Sequence, residues 1–456
     1  MVLKPNMNTL PTSLEEWVDE SACQNNIDQL LAFGKSNPTV TGVEVGFSKS
    51  MGLTSHARLG DVESVEFERG KSIGLTVYVG QQSGSASTTD LSPASLKATY
   101  EAALAIAKAT QPDPCAGLPD KSELATDIID CQLYSPWALS AEEAIKMAIE
   151  AEKVGLDNPK IKNSEGASVN SSQSYHVYAN SDGFYAGYPT SRHSVSCVLI
   201  AEHDGNMERD YAYELKRNAK DLPHPSEIGK KACEKTLRRL GARSLKSCKV
   251  PIIYDKDLAS GFFSPFFNAI SGGALYREQS FLLNSLGQAV FPSFVNIEQK
   301  PHVQGSFGSA PFDNDGVATR NRMIVKSGVV EGYLLGVYSA RKLKMQTTGN
   351  AGGLFHSIVT TNDFDQNALL AKMGTGLLVT ELMGSAINMT NGDYSRGASG
   401  FWVENGQIQY PVHEITIAGN LKDMYQNVVA ISNDIDESHI LHTGSILVSE
   451  MSIAGN

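Results

Sequence analysis

The sequence predicts an α+β protein: sheet-and-helix segments over the first half, then a β-rich C-terminal domain. Three observations predict it. Strand-like alternation and capped helical runs come in blocks, without the strict strand–helix alternation of a doubly wound parallel sheet. Two successive stretches share one order, strands followed by a covering helix, which suggests an internal duplication. After Ser271-Gly272-Gly273 the chain becomes rich in glycine and in short apolar strands. The expected domains are residues 1–115, 116–245 and 246–456.

In the first stretch, 26–36 reads as a helix, and Val43 to Phe47 and Gly74 to Val79 read as strands. Ser92-Pro93 is a cap residue followed by a first-turn proline, opening a helix over the Ala- and Leu-rich 94–110. Pro112, Pro114 and Pro119 punctuate a linker. The second stretch begins at Ser140 and Glu143, which have capping-box spacing for a helix to about Gly155. Short strands follow at 174–179, 184–188, 194–201 and 209–215, then a helix capped by Ser226 and running to Leu240. In the third stretch, Val250 to Tyr254 is a buried-looking strand, and 257–270 is an apolar helix with Asp255 or Asp257 near its start. Further strands are expected at 328–337, 376–379, 400–404 and 415–418.

The apolar fraction of 41% is enough for a real core. A net charge of −12 opposes phosphate backbones and anionic lipid, so direct nucleic-acid binding is disfavoured. The basic stretch from Lys216 to Lys249 reads as the solvated face of a helix, or else as a docking patch for an acidic partner. No apolar run approaches the ~20 residues needed to cross a bilayer. The first 25 residues lack an apolar leader core, and the six cysteines form no C-x-x-C pair, so free thiols in the cytoplasm are expected.

The search for self-sufficient chemistry finds only fragments. His413-Glu414 begins H-E-x-x-H, but the second His is absent and the segment reads as strand. His439 and His442 are spaced for one helix face, yet two ligands leave a zinc site unfinished. Asp313-Asn314-Asp315-Gly316 opens like a calcium loop, lacks the later ligands, and reads as a turn. Gly374-Thr375-Gly376 lacks the third glycine of a dinucleotide loop, and Ser399 lies outside nucleophile-elbow spacing.

Several blocks carry a resemblance. They include Phe266 to Arg277, Gly332 to Leu335, Ala340 to Leu343, Thr347 to Asn350, and above all Gly392 to Gly406, running on through Tyr410-Pro411-Val412 to Leu421. The chain resembles the PmbA (TldE) branch of the TldD/PmbA family of metalloproteases, also described as modulators of DNA gyrase. In the TldD branch, a helix at this place carries H-E-x-x-x-H and binds zinc together with a distal Cys. The matching positions here are Ser264, Pro265 and Ala269. Neither a hydroxyl nor a methyl group replaces an imidazole at zinc.

The resemblance implies a two-chain peptidase. A TldD-like subunit holds zinc, while this chain holds no cofactor, contributes no catalytic residue, and shapes a chamber for a peptide or unfolded segment. Sheet-edge hydrogen bonding is a common way to hold such a substrate. Polar residues of the matched blocks are the candidate cleft: Asn268, Tyr276, Arg277, Asn350, Asp393, Tyr394 and Arg396. A structural alternative is an ion pair between Asp393 and Arg396. Alone, the chain is expected to pair with itself. Two other readings stay open: a stand-alone metallopeptidase with ligands drawn from His302, His356, His439 and His442, and a regulatory binding protein.

Overall fold

A computed structural model describes residues 9–455. The first half is an α–β–β–β–α unit built twice. The first copy is α1 (Glu20–Ser36), β1 (Gly42–Arg58), β2 (Asp61–Val79), β3 (Gln82–Thr88) and α2 (Pro93–Ala109). The second is α3 (Ala141–Leu156), β4 (Ile161–Asn180), β5 (Tyr185–His203), β6 (Asn206–Lys216) and α4 (Pro225–Arg238). All the strands join one six-stranded sheet in the order β3-β2-β1-β4-β5-β6. That order reverses about the antiparallel β1–β4 pair, so the copies are related by a pseudo-two-fold axis between those strands. The suspected duplication is therefore visible as sheet topology.

Local chemistry sets the helix ends. Ser92 caps α2 ahead of Pro93, and Ser140 with Glu143 forms the expected capping box on α3. Helix α1 starts earlier than expected, because the Asp19 side chain accepts the N–H of Ala22. Ser226 is not a cap. His224 holds that position, Pro225 supplies the first turn, and Ser226 Oγ lies 2.8 Å from His224 Nδ1. Helices α3 and α4 touch at Gly229, where a Cβ would lie 1.8 Å from the Ala151 carbonyl oxygen.

The helices of this half pack on one sheet face, over alternate residues such as Val43, Val45, Val177, Val195 and Leu199. The opposite face mixes glycine and serine with a few larger side chains, His176, Tyr178 and Arg192 among them. Gly46, Ser48 and Ser50 of β1 stand opposite Gly74, Ser72 and Gly70 of β2, and opposite Tyr178, His176 and Ser174 of β4. Ser172 and Asn170 of β4 continue it beside Arg192 and Ser194 of β5.

The second half opens with β7 (Cys248–Tyr254), α5 (Lys256–Ala269) and α6 (Gly272–Tyr276). Short elements follow: β8 (Ile297–Gln299), β9 (Arg322–Lys326), β10 (Val329–Val330), α7 (Val337–Lys342), β11 (Ser357–Val359) and α8 (Gln366–Met373). The chain ends with β12 (Gly376–Ile387), β13 (Asp393–Glu404), β14 (Gln407–Asn420), α9 (Leu421–Gln426), β15 (Val428–Ile431), β16 (Leu441–His442) and β17 (Ile446–Ala454). The strand expected over 328–337 shrinks to β10, because Gly328 turns at φ +78° and Val337 already begins α7.

Strand order β14-β13-β12-β7-β17-β15, with a further β14–β17 pairing, closes β7, β12, β13, β14 and β17 into a barrel. A smaller sheet, β10-β9-β8-β11-β16, lies beside it. Tyr254, Phe262, Phe266, Phe291 and Tyr425 meet in the main core, with Phe266 and Phe291 ring centroids 5.0 Å apart.

The basic stretch is largely spent inside the chain. Lys235 pairs with Asp257 at 2.7 Å, Arg238 lies over the Phe401 ring, and Arg239 reaches Glu208, Asp210 and Glu381. These contacts tie α4 to the C-terminal half.

Candidate functional site

Helix α5 sorts its side chains by helical period. Phe262, Phe263, Phe266 and Ala269 enter the core. Ser260, Ser264 and Asn268 fall on the other side, successive turns apart, and with Ser271, which caps α6, line a cleft of about 430 Å³. Asp255 caps the helix by accepting the N–H of Asp257. Pro265 removes the N–H that Gly261 C=O would have accepted, a cost eased because Gly261 is exposed. The opposite wall is Gly352-Gly353-Leu354 together with His439-Ile440-Leu441, at the edge of the smaller sheet.

The predicted residues therefore part company. Ser264 and Asn268 face the cleft, while Pro265 and Ala269 are buried, Ala269 completely. Asn350 is buried behind the cleft. Its Nδ2 donates to Gln299 Oε1 at 2.7 Å and to Gly353 O at 2.9 Å, holding the glycine segment of the wall. Tyr276 and Arg277 lie elsewhere: Arg277 donates to Tyr276 Oη, and the Tyr276 ring meets Tyr338. Asp393 and Tyr394 line a separate open depression of about 660 Å³. Arg396 donates to Gly384 O at 2.8 Å, and Asp393 is held by Asn391 and Asn420; no Asp393–Arg396 ion pair forms among the described residues.

Ser260 and Ser271 escaped the sequence reading, although one helical turn between Ser260 and Ser264 was a usable signal; Ser271 lies past the end of α5 and caps α6. His439-Ile440-Leu441 could not be placed opposite α5 without the fold. His439 Nε2 lies 3.4 Å from Asp436 Oδ2, close enough for an ion pair but bent away from a hydrogen-bond line. Asp436 holds His439 above the usual imidazole range. His356 and His442 meet edge to face at 4.4 Å. Burial and the neighbouring His442 hold His356 down at about 4, and its Nδ1 lies 2.7 Å from Ser306 Oγ. His302 Nε2 is taken by Thr319 at 2.9 Å.

Among the described residues, no group of three or more His, Cys, Asp or Glu side chains is placed to hold a metal ion. The donors that α5 turns to the cleft are neutral hydroxyls and an amide, which do not fit zinc; that metal takes thiolate, imidazole and carboxylate. Elsewhere, His413 lies on β14 at 3.3 Å from Glu208. Asp313-Asn314-Asp315-Gly316 is a turn, with Asp313 Oδ1 accepting the N–H groups of Asp315 and Val317.

Three family models match the chain. They are the PmbA/TldA metallopeptidase domain 1 over 43–107, the central domain over 134–240 and the C-terminal domain over 247–455. The chain is 47% identical to the metalloprotease PmbA of Escherichia coli O157:H7 over 426 residues, covering 93% of this chain and 94% of that one. A Bacteroides thetaiotaomicron protein described as a candidate modulator of DNA gyrase superposes with a TM-score of 0.89 at 26% identity, over 98% of this chain and all of that one. TldE from Thermococcus kodakarensis shares the fold, with a TM-score of 0.82 at 19% identity over 94% of this chain and all of the other.

Proposed function

Since the chain belongs to the PmbA/TldD metallopeptidase family, we propose that it is the non-catalytic half of a two-chain zinc peptidase acting on peptides or unfolded segments. A TldD-like chain holds the metal and its attacking water. This chain supplies wall and substrate contacts.

One observation carries the reading. At the place where the resemblance puts a metal-binding helix, α5 offers the cleft Ser260, Ser264 and Asn268 and buries Ala269 in the core. A second supports the chamber. The face of the long N-terminal sheet opposite its helices presents glycine, serine and threonine along much of β1, β2 and β4, interrupted by an aromatic and acidic cluster at Glu44, His176, Tyr178 and Tyr188. The cleft can also grip a peptide: Gly352-Gly353-Leu354 and the edge strand β16 bring backbone donors and acceptors beside Phe267, Leu334 and Leu441.

Mixing tests the proposal. Peptidase activity on an unfolded substrate is measured for this chain, for a TldD-like chain, and for both together. Activity is expected only in the mixture. A TldD-like chain fully active alone removes the proposed role.

A further inference from the structure

A further cavity, of about 460 Å³, lies on the open face of the N-terminal sheet where the 312–314 turn of the C-terminal half covers it. Its floor has no side chain. Gly46 pairs with Gly74, and nothing lies within 4 Å of where a Cβ on Gly46 would point. Around that floor stand Ser48, His176, Tyr178, Tyr188 and Phe312. The rings hold one another in place: Tyr188 and Phe312 meet edge to face at 5.5 Å, and Phe184 braces both Phe312 at 5.4 Å and Tyr178 at 5.7 Å.

The field around the cage is negative. Glu44, on the same strand face as Gly46, accepts from the hydroxyls of Tyr78 and Tyr178 at 2.9 Å each. Asp313 lines the cavity, where burial raises it to about 7 so that it is partly ionised at neutral pH, and Asp315 follows in the same turn, with Glu123 acting on Asp315 from the linker. Arg341, whose guanidinium donates to the carbonyls of Gly117 and Leu118, keeps its charge and offsets Asp315, which leaves Glu44 and Asp313 as the acidic groups without a cation partner among the described residues. Burial holds His176 below the usual imidazole range, so it adds no positive charge at neutral pH. A phenol that donates to a carboxylate also becomes richer in π density, which strengthens its attraction for a cation.

We infer that this cage binds the cationic side chain, arginine or lysine, of a polypeptide lying along the open sheet face. Aromatic rings lining the cage and the Glu44 carboxylate behind Tyr178 together favour a cation over a neutral aromatic group. The inference deepens the chamber reading, and the isolated full-length chain tests it without any partner. Failure here thus leaves the two-chain proposal standing, and the reverse also holds.

The probe is acetyl-Gly-Arg-Gly-amide, titrated into the chain by calorimetry. It is compared with the citrulline peptide, which is neutral and nearly isosteric, and with the phenylalanine peptide. The arginine peptide is expected to bind about tenfold tighter than either. Gly46→Val fills the floor with a residue that strands favour and should abolish binding. Tyr188→Leu, at a hydroxyl that makes no hydrogen bond among the described residues, should weaken it about three- to tenfold. Thermal melts confirm that both variants fold. Equal or tighter binding of the citrulline or phenylalanine peptide, unchanged binding by Gly46→Val, or no binding of the arginine peptide each overturns the inference.

Discussion

An imidazole placed at 269 tests which face of α5 looks into the cleft. Ala269 is 0% exposed and belongs to the main aromatic core, and its carbonyl accepts from Ser280 Oγ at 2.7 Å. Ala269→His inserts a ring into packed space, at about 1–3 kcal/mol for overpacking. It also buries a polar ring without a partner, at about 1–3 kcal/mol more. The expected loss is therefore ~2–6 kcal/mol, read as a lowered midpoint in urea unfolding. Ser264→His, on the exposed side, should stay within ~0.5 kcal/mol of wild type. Ser264→His combined with Asn268→His sets two imidazoles one turn apart, and its unfolding midpoint should rise when zinc is added. Zinc at about 100 times its Kd corresponds to ~2.7 kcal/mol. Ser264→His with Ala269→His should show no such gain. Wild-type stability for Ala269→His, or an equal zinc response from the two double variants, would refute the assigned helix face.

Other perturbations give equally definite outcomes. Glu152 is fully buried, and its carboxylate accepts the N–H groups of Leu59 and Gly60 at the β1–β2 turn, at 2.8 and 2.9 Å. Glu152→Ala should cost about 2–3 kcal/mol in thermal unfolding, because water can reach the exposed turn and limits the loss. Arg239→Met leaves Glu208, Asp210 and Glu381 without their shared cation between the two halves, and should cost about 3–5 kcal/mol; a loss under about 1 kcal/mol would show that the network does not join them. Burial first, and then Asp315, raise Asp313 from 3.8 to about 7. A raised carboxyl favours the folded state fully below its unfolded value, and that contribution is lost as pH rises through the folded one. Melting temperature should therefore carry a falling component between pH 3.8 and about 7 that Asp313→Asn removes; an unchanged profile would show that Asp313 does not carry it.

Local signals in the sequence located much of this fold. Ser92-Pro93, the Ser140–Glu143 box and the β7–α5 junction fall where cap chemistry and apolar periodicity place them. Strand length was the main loss. The second stretch reads as short strands, whereas β4 and β5 run for 20 and 19 residues. On the helix-facing side of those strands Ser171, Gln173, Ser191 and His193 are polar yet buried, so the apolar half of the alternation that marks a strand breaks off partway along them. The β1–β4 pairing that fuses both copies into one sheet is long-range and leaves no local trace. At the site, family blocks drew attention to α5, but only helix phase separates Asn268 in the cleft from Ala269 in the core. The Glu44, Tyr78 and Tyr178 cluster lies on three strands, and no spacing in the chain announces it.

Zinc partition between the two chains tests the central claim most directly. The chain and a TldD-like chain are purified apart, loaded with zinc, dialysed against metal-free buffer, and assayed by elemental analysis alone and as a mixture. The proposed division of labour predicts zinc retained with the TldD-like chain, one ion for each pair, and none retained by this chain alone. Stoichiometric zinc in the isolated chain, retained in wild type and lost on substituting His439 or His442, would contradict it.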